Sequence, residues 1–254
     1  MRFLLPILLL ALAGPAVAQP ASVVVAGTLI VGPSGSRIDG SGRATDEVRT
    51  LPPFSAVRIN GPIDVHLRAT GREQVTIHFD DNLAALVETR VTGEPTPALD
   101  IRLQPGAAFK SRRVPKVIVE FKAISELSQQ GSGEVSADTL NGALLAVSMS
   151  GSGDVSIVRV EVDVLGVAMA GSGDFKVSGR AMEQGYSIAG SGEVHAGGLV
   201  GQNVKVRIAG SGDAHVHAEA VLTVAIAGSG DVIYRGTPTI KKSIAGSGEV
   251  RKAR

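Results

Sequence analysis

The sequence predicts an all-β protein, a single-stranded right-handed parallel β-helix (a solenoid) with coils of about 18–20 residues and irregular N-terminal coils. Gly-Ser-Gly followed by Asp or Glu recurs seven times at nearly constant spacing, beginning at Gly131, Gly151, Gly171, Gly190, Gly210, Gly228 and Gly246. Apolar and polar residues alternate on both sides of each repeat, which is typical of half-buried strands. Glycine at every repeat disfavours a helix by about 1 kcal/mol per residue but permits a tight corner.

A repeat this short cannot bury its apolar side alone, but it can do so by stacking on the next repeat about 4.8 Å away. The position after the acidic residue is apolar in every repeat, and this column is predicted to lie inside: Val135, Val155, Phe175, Val194, Ala214, Val232 and Val250. Each glycine corner is therefore predicted to begin a new coil of one continuous core.

Residues 1–18 have the features of a secretory signal peptide. Arg2 precedes an apolar stretch of about ten residues, and Ala16-Val17-Ala18 forms a small-x-small cleavage site. That stretch is too short to cross a membrane, which takes roughly 20 residues. We therefore expect an exported chain without a transmembrane segment, located in the periplasm, on the cell surface or secreted.

Three further segments follow the signal peptide. Residues 19–50 are rich in Gly, Ser and Pro and are predicted to be a linker or a loosely attached N-terminal segment. Residues 51–125 contain alternating runs such as Val75-Thr76-Ile77-His78-Phe79 and are predicted to form strand-rich N-terminal coils; a separate sandwich domain is the alternative. Residues 126–254 are predicted to form the repeat β-helix.

Composition excludes several classes of function. The chain has 25 basic and 24 acidic residues, so it has no global field that would attract nucleic acid. Aromatic residues make up 3% and tryptophan is absent, which argues against stacking platforms for bases. Cysteine is also absent, so there is no disulfide framework and no thiolate metal site.

The acidic residues after the glycine corners are the first candidate binding site: Glu134, Asp154, Asp174, Glu193, Asp213, Asp231 and Glu249. Stacked carboxylates repel one another unless they are solvated, hydrogen-bonded to corner amides or bridged by cations. Calcium would suit such oxygen ligands. The alternative is a turn role in which each acid binds neighbouring N–H groups. Apart from calcium, no cofactor is indicated.

Three histidines form the second candidate. His195 and His215 occupy equivalent outward positions in adjacent coils, and His217 lies two residues further along the strand. Three imidazoles this close could hold zinc or copper. The alternative is a solvated polar face.

The repeats resemble a known bacterial family when they are taken together with the opening Pro-Phe-x-x-Val-x-Ile-x-Gly-Pro-x-Asp-Val at Pro53 to Val65. This is the head GIN domain family of "putative autotransporter adhesins", a domain of unknown function. The stretch Asp80-Asp81-Asn82-Leu83 is similar to a motif of the same family, and the resemblance extends from about 53 to 250. It implies an exported β-helical protein of the envelope or surface, with adhesion as its suggested role and no catalytic residues to carry over.

These observations predict an exported, non-enzymatic structural or binding module of the cell envelope that is adhesin-like. Its expected partners are envelope or surface polysaccharides or proteins, contacted along a repetitive polar face. Two other classes remain open. One is a carbohydrate-active β-helix enzyme, which would need a localised groove with unmatched acidic and basic residues. The other is a metal-binding envelope protein that uses the histidines.

Overall fold

The computed structural model describes residues 37–93 and 95–254. The predicted signal peptide, residues 1–18, and most of the predicted linker lie outside the described residues. No helix long and apolar enough to cross a bilayer occurs in the described part of the chain.

The described residues form eighteen strands and one short 3-10 helix, Ala84–Leu86. The N-terminal strands are β1 (Ile38–Asp39), β2 (Ala44–Thr50), β3 (Ala56–Asn60), β4 (Asp64–Ala69), β5 (Gln74–Asp80), β6 (Val87–Thr92), β7 (Ala98–Leu103), β8 (Phe109–Lys110) and β9 (Lys116–Phe121). The repeats contribute β10 (Glu126–Gly131), β11 (Val135–Gly151), β12 (Val155–Gly171), β13 (Phe175–Gly190), β14 (Val194–Gly210), β15 (Ala214–Gly228), β16 (Val232–Arg235), β17 (Thr239–Gly246) and β18 (Val250–Lys252).

Strands from successive repeats pair in parallel, so each repeat is one coil of a β-solenoid. The seven corner glycines align one above another, for example Gly151 with Gly131 on one side and Gly171 on the other. The same register continues through Gly190, Gly210, Gly228 and Gly246. The predicted parallel β-helix, with one repeat in each coil, is confirmed.

Both glycines of each corner are required by the close approach of neighbouring coils. The first adopts a positive φ, 137° at Gly171, and a Cβ there would lie 2.0 Å from the carbonyl oxygen of Gly151. The second is equally confined, since a Cβ on Gly173 would lie 2.1 Å from the carbonyl oxygen of Gly153. The exposed serine between them has no such constraint. Gly-Ser-Gly is therefore the sequence of a corner at which backbones stack almost in contact.

The interior of the solenoid is filled by the predicted apolar columns. Val155 and Phe175, which follow the acid in two adjacent coils, are 1% and 0% exposed. The column two residues before the corner is also buried, as at Met149 and Ile188. The last coil departs from this pattern, because β17 and β18 lie at the open C-terminal end and Val250 is only partly buried.

The N-terminal strands belong to the same 16-stranded sheet as the repeats, because β3 pairs with β10 and β4 pairs with β11, both in parallel. Unlike the repeats, this region also contains antiparallel pairs, namely β2–β5, β5–β9 and β6–β7. Residues 44–50 therefore form a paired strand, β2, along one edge of the N-terminal region.

The motif Asp80-Asp81-Asn82 fastens the segment that precedes β2. The Asn82 side chain donates to the carbonyl oxygen of Asp39 and accepts from the amide of Ser41, each at 2.9 Å. Asp81 accepts from the Ser41 hydroxyl, and this bond is the main reason why the pKa of the Asp81 carboxyl is lowered. Asp80 is buried and accepts from Ser111 and Arg113. In this chain the motif therefore has a structural role, because its side chains bond Asp39, Ser41, Ser111 and Arg113.

Candidate functional site

The seven predicted acidic residues, here called the carboxylate row, lie one per coil directly after the glycine corner. Each acid stands between the second corner glycine and an inward-facing apolar residue, so its own side chain faces outward. Glu134, Asp154 and Asp174 are exposed, whereas Glu193, Asp213 and Asp231 are partly buried. Since the coils pair in register, successive carboxylates are neighbours along the solenoid.

The aspartates of the row hydrogen-bond to the next coil. Oδ1 of Asp154 accepts from the backbone N–H of Asp174 at 2.8 Å, and Oδ1 of Asp174 accepts from the N–H of Glu193 at 3.2 Å. Asp213 and Asp231 accept in the same way from the next acid. Asp64, which follows the Gly61-Pro62-Ile63 corner of the first coil, accepts from Glu134 at 3.0 Å. These side chains supply acceptors for corner amides.

The two interior glutamates of the row behave differently. Among the described residues, neither Glu134 nor Glu193 bonds the amide of the following acid, and Glu193 instead lies 3.3 Å from Nε2 of His195. The geometry therefore gives the aspartates a structural contact within the turn, while binding or calcium coordination by the row remains a prediction.

The structure brings two of the three predicted histidines together. His195 and His215 are paired in register, with ring centroids 5.7 Å apart and planes tilted by 32°. His217 pairs with Val200 rather than with a histidine, because the pairing of β14 with β15 shifts after His195, and its Nε2 lies 2.8 Å from Oε1 of Glu219. In the described part of the chain, no group of three or more His, Cys, Asp or Glu side chains is arranged to hold a metal ion. The metal site stays a prediction.

The paired histidines border a shallow surface cavity of about 270 Å³, here called the histidine groove. Lys176 borders it beside His195, and Arg235 reaches back from a later coil so that its Nη1 lies 3.5 Å from the carbonyl oxygen of Gly197. No aspartate or glutamate from the described residues lines it. The alternative prediction of an enzyme required acidic and basic residues in one groove, and this groove presents only basic and imidazole groups.

Sequence reasoning missed Lys176 and Arg235 as site residues, although a signal was present for the first. The outward column that reads Ser136 and Ser156 in early coils changes to Lys176, His195 and His215 in later ones. Arg235 enters the groove only because its long side chain crosses an intervening coil, which no repeat pattern indicates.

The fold and the corner geometry define the class of protein as a parallel β-solenoid with Gly-Ser-Gly-acid corners. Residues 53–238 match the family described as "Putative auto-transporter adhesin, head GIN domain", and the chain belongs to that family. The resemblance inferred from the repeats and the Pro53 opening is thereby confirmed.

Several solved structures share the fold. A "putative adhesin" from Bacteroides fragilis is 24% identical, with a TM-score of 0.79 over 85% of this chain and 100% of that one. A "putative lipid binding protein" from Parabacteroides distasonis is 26% identical, with a TM-score of 0.70 over 86% of this chain and 100% of that one. A "putative adhesin" from Parabacteroides merdae is 22% identical, with a TM-score of 0.66 over 87% and 100%. A search of curated proteins found no match.

Proposed function

We propose that this protein is an exported, non-enzymatic binding module of the bacterial envelope or surface, adhesin-like in its action. The family description names an adhesin, and solved structures with the same fold carry that description. The signal-peptide features of residues 1–18 support export. Its partner would be a polysaccharide or protein of the envelope or surface.

The observation that carries this proposal is the in-register repetition of outward side chains. β11 aligns with β12 position for position, and β12 aligns with β13 on either side of one register shift between Ile157 and Val160. Equivalent outward groups therefore recur at the spacing of neighbouring strands, about 4.8 Å. A partner that is itself repetitive can contact several coils at once, and weak single contacts then add through effective concentration. Stacked coils are suited to this because strand pairing fixes the spacing of their outward side chains.

Enzymatic action and metal binding are the competing functions. Glycoside hydrolysis generally needs two carboxyl groups about 5–9.5 Å apart on either side of the scissile bond. The carboxylate row offers adjacent carboxylates, but its interior aspartates are bonded to the backbone of the next coil. Zinc binding would need a further ligand beside His195 and His215.

A binding screen on the mature chain tests the proposal. The chain is immobilised and exposed to envelope extracts and to a panel of bacterial and host glycans, with and without calcium, while the same panel is assayed for cleavage. We expect saturable binding to at least one fraction, without release of shorter glycans. Glycan cleavage, or no saturable binding to any fraction, would contradict the proposal. If removal of calcium abolishes binding, the same assay on an Asp154→Asn variant tests whether the carboxylate row holds the ion.

A further inference from the structure

We infer that the histidine groove binds a phosphate group. This inference deepens the proposed function, on which it rests for its biological setting, by naming the chemistry that one part of the outer surface recognises. It depends on three features of the groove: its charge, its open floor and its position at a break in the repeat.

Four side chains from four consecutive coils supply the polar groups of the groove, and two of them, Lys176 and Arg235, supply its formal positive charge. Lys176, His195 and His215 occupy one outward column in register, and Arg235 enters from the coil beyond. Among the described residues, neither Lys176 nor Arg235 has a carboxylate within ion-pairing distance. Ammonium and guanidinium groups are donors without acceptor capacity, so they favour an anion rich in oxygen atoms.

The carboxylate row runs beside the groove, because Asp174, Glu193 and Asp213 each stand two residues before Lys176, His195 or His215, but none of these acids lines the cavity. Asp174 and Asp213 accept hydrogen bonds from the backbone amide of the next acid. The carboxylate of Glu193 lies 3.3 Å from Nε2 of His195, and Glu219 binds His217 rather than either groove histidine. Glu193 holds one imidazole in place without entering the cavity. An anion in the groove therefore meets two cationic side chains and two imidazoles, and a phosphate, with three or four oxygen atoms, can accept from more of these groups than a carboxylate can.

The floor of the groove is open at Gly197, which lies in a bulge of β14, whereas the neighbouring Gly198 packs closely against Ser178. The pairing of β13 with β14 shifts register after Lys176, and the pairing of β14 with β15 shifts after His195, so the stretch with Gly197 and Gly198 forms a bulge. Bulges often occur beside binding sites, where they redirect side chains. A Cβ on Gly197 would meet nothing closer than 3.9 Å, so its side-chain space is free and a bound group could use it.

The test is a titration of the ¹⁵N-labelled mature chain with inorganic phosphate at fixed pH, with sodium chloride at matched ionic strength as the reference. We expect saturable amide shifts that centre on Gly197 and Gly198. The double substitution Lys176→Gln with Arg235→Gln removes two charge-assisted contacts and should weaken binding by at least about tenfold. Gly197→Leu should also abolish binding because it fills the floor without changing charge.

The matched control is Lys205→Gln with Arg207→Gln, which removes the same charge from another outward face of the solenoid. Its phosphate affinity should stay within about twofold of the parent, because screened charges outside the site contribute little. The inference would be overturned by equal losses of phosphate affinity in both double variants. It would also be overturned by amide shifts scattered over the surface or by a phosphate titration that does not saturate. If Gly197→Leu fails to fold, the two charge variants alone decide the outcome.

Further arms distinguish the source of the phosphate group. Glycerol phosphate represents a phosphate ester of an envelope polymer, and vesicles of phosphatidylglycerol, compared with phosphatidylcholine, represent a lipid headgroup. Binding of envelope fractions without any phosphate response would overturn the groove inference alone. A phosphate response without binding of any envelope fraction would contradict the proposed function alone.

Discussion

Oδ1 of Asp154 accepts a 2.8 Å hydrogen bond from the backbone N–H of Asp174, one full coil further along the chain. The contact joins two positions of the same repeat, and the aspartates of the later coils reproduce it. It explains why aspartate, the shorter acidic side chain, follows the glycine corner in four of the seven repeats. At this point the corner amide takes a side-chain acceptor in place of a backbone carbonyl.

This contact makes the effect of substitutions in the carboxylate row predictable. Asp154→Ala should lower the free energy of unfolding by about 1 kcal/mol, since it removes one acceptor. Asp154→Asn should have a smaller effect because its amide oxygen can still accept. Glu134→Ala, in the same row but without this bond, is the control and should be nearly neutral. Urea denaturation measures all three, and equal losses for Asp154→Ala and Glu134→Ala would exclude the structural role.

The corner glycines allow a sharper test of coil stacking. Gly171→Ala should destabilise strongly, because the residue has a φ of 137° and its new Cβ would lie 2.0 Å from a backbone oxygen of the previous coil. A non-glycine residue held at such a φ costs of order 1–3 kcal/mol. Gly166→Ala is the matched control, since a Cβ there meets nothing within 4 Å. If the melting temperature falls equally in both variants, close contact between coils is not the cause of the destabilisation.

A buried charge tests whether the residues that follow the acid, such as Val155, face the interior of the solenoid. Val155→Asp places a carboxylate without a partner at a position that is 1% exposed, at a cost of several kcal/mol. The neighbouring substitution Ser156→Asp, on the outward side of the same strand, should leave the melting temperature almost unchanged. An unchanged melting curve for Val155→Asp would reverse the inside and outside of the coil.

Tyr186 provides a test that depends on pH. Burial raises the pKa of its phenol far above the usual value near 10, and the hydroxyl donates to Oε1 of the buried Gln184 at 2.9 Å. Because the pKa is raised on folding, the stabilisation is complete below the pKa of the unfolded chain and declines as the pH rises above it. Tyr186→Phe should remove this alkaline decline, measured by urea denaturation between pH 8 and about 11. An identical decline in both proteins would contradict the assignment.

Much of the fold could be predicted from the sequence because the repeat imposes the same constraint seven times. The period located the corners, and the alternation around residues such as Val155 and Met149 assigned the inward columns. The N-terminal antiparallel pairs could not be predicted, since strands such as β2 and β5 do not repeat and their alternation is compatible with either direction. Pairing direction there depends on long-range contacts.

The candidate site was less predictable for a related reason. The sequence located the carboxylate row, but Asp and Glu looked equivalent, and only the backbone geometry shows that the shorter side chain meets the corner amide. His195 and His215 were expected to be neighbours, and they are. The repeat pattern indicates neither the bulge at Gly197 and Gly198 nor the long reach of the Arg235 side chain into the groove.

The contact between Asp154 and Asp174 also permits the most direct test of the stacked, in-register coils on which the whole account depends. A long-range NMR experiment that detects scalar coupling across hydrogen bonds can correlate the amide nitrogen of Asp174 with the side-chain carboxyl carbon of Asp154. We expect this correlation and its equivalents from Asp64, Asp174, Asp213 and Asp231, with none from Glu134 or Glu193. Correlations from these carboxyl carbons to amides within their own repeat instead would contradict the stacked solenoid and its carboxylate row.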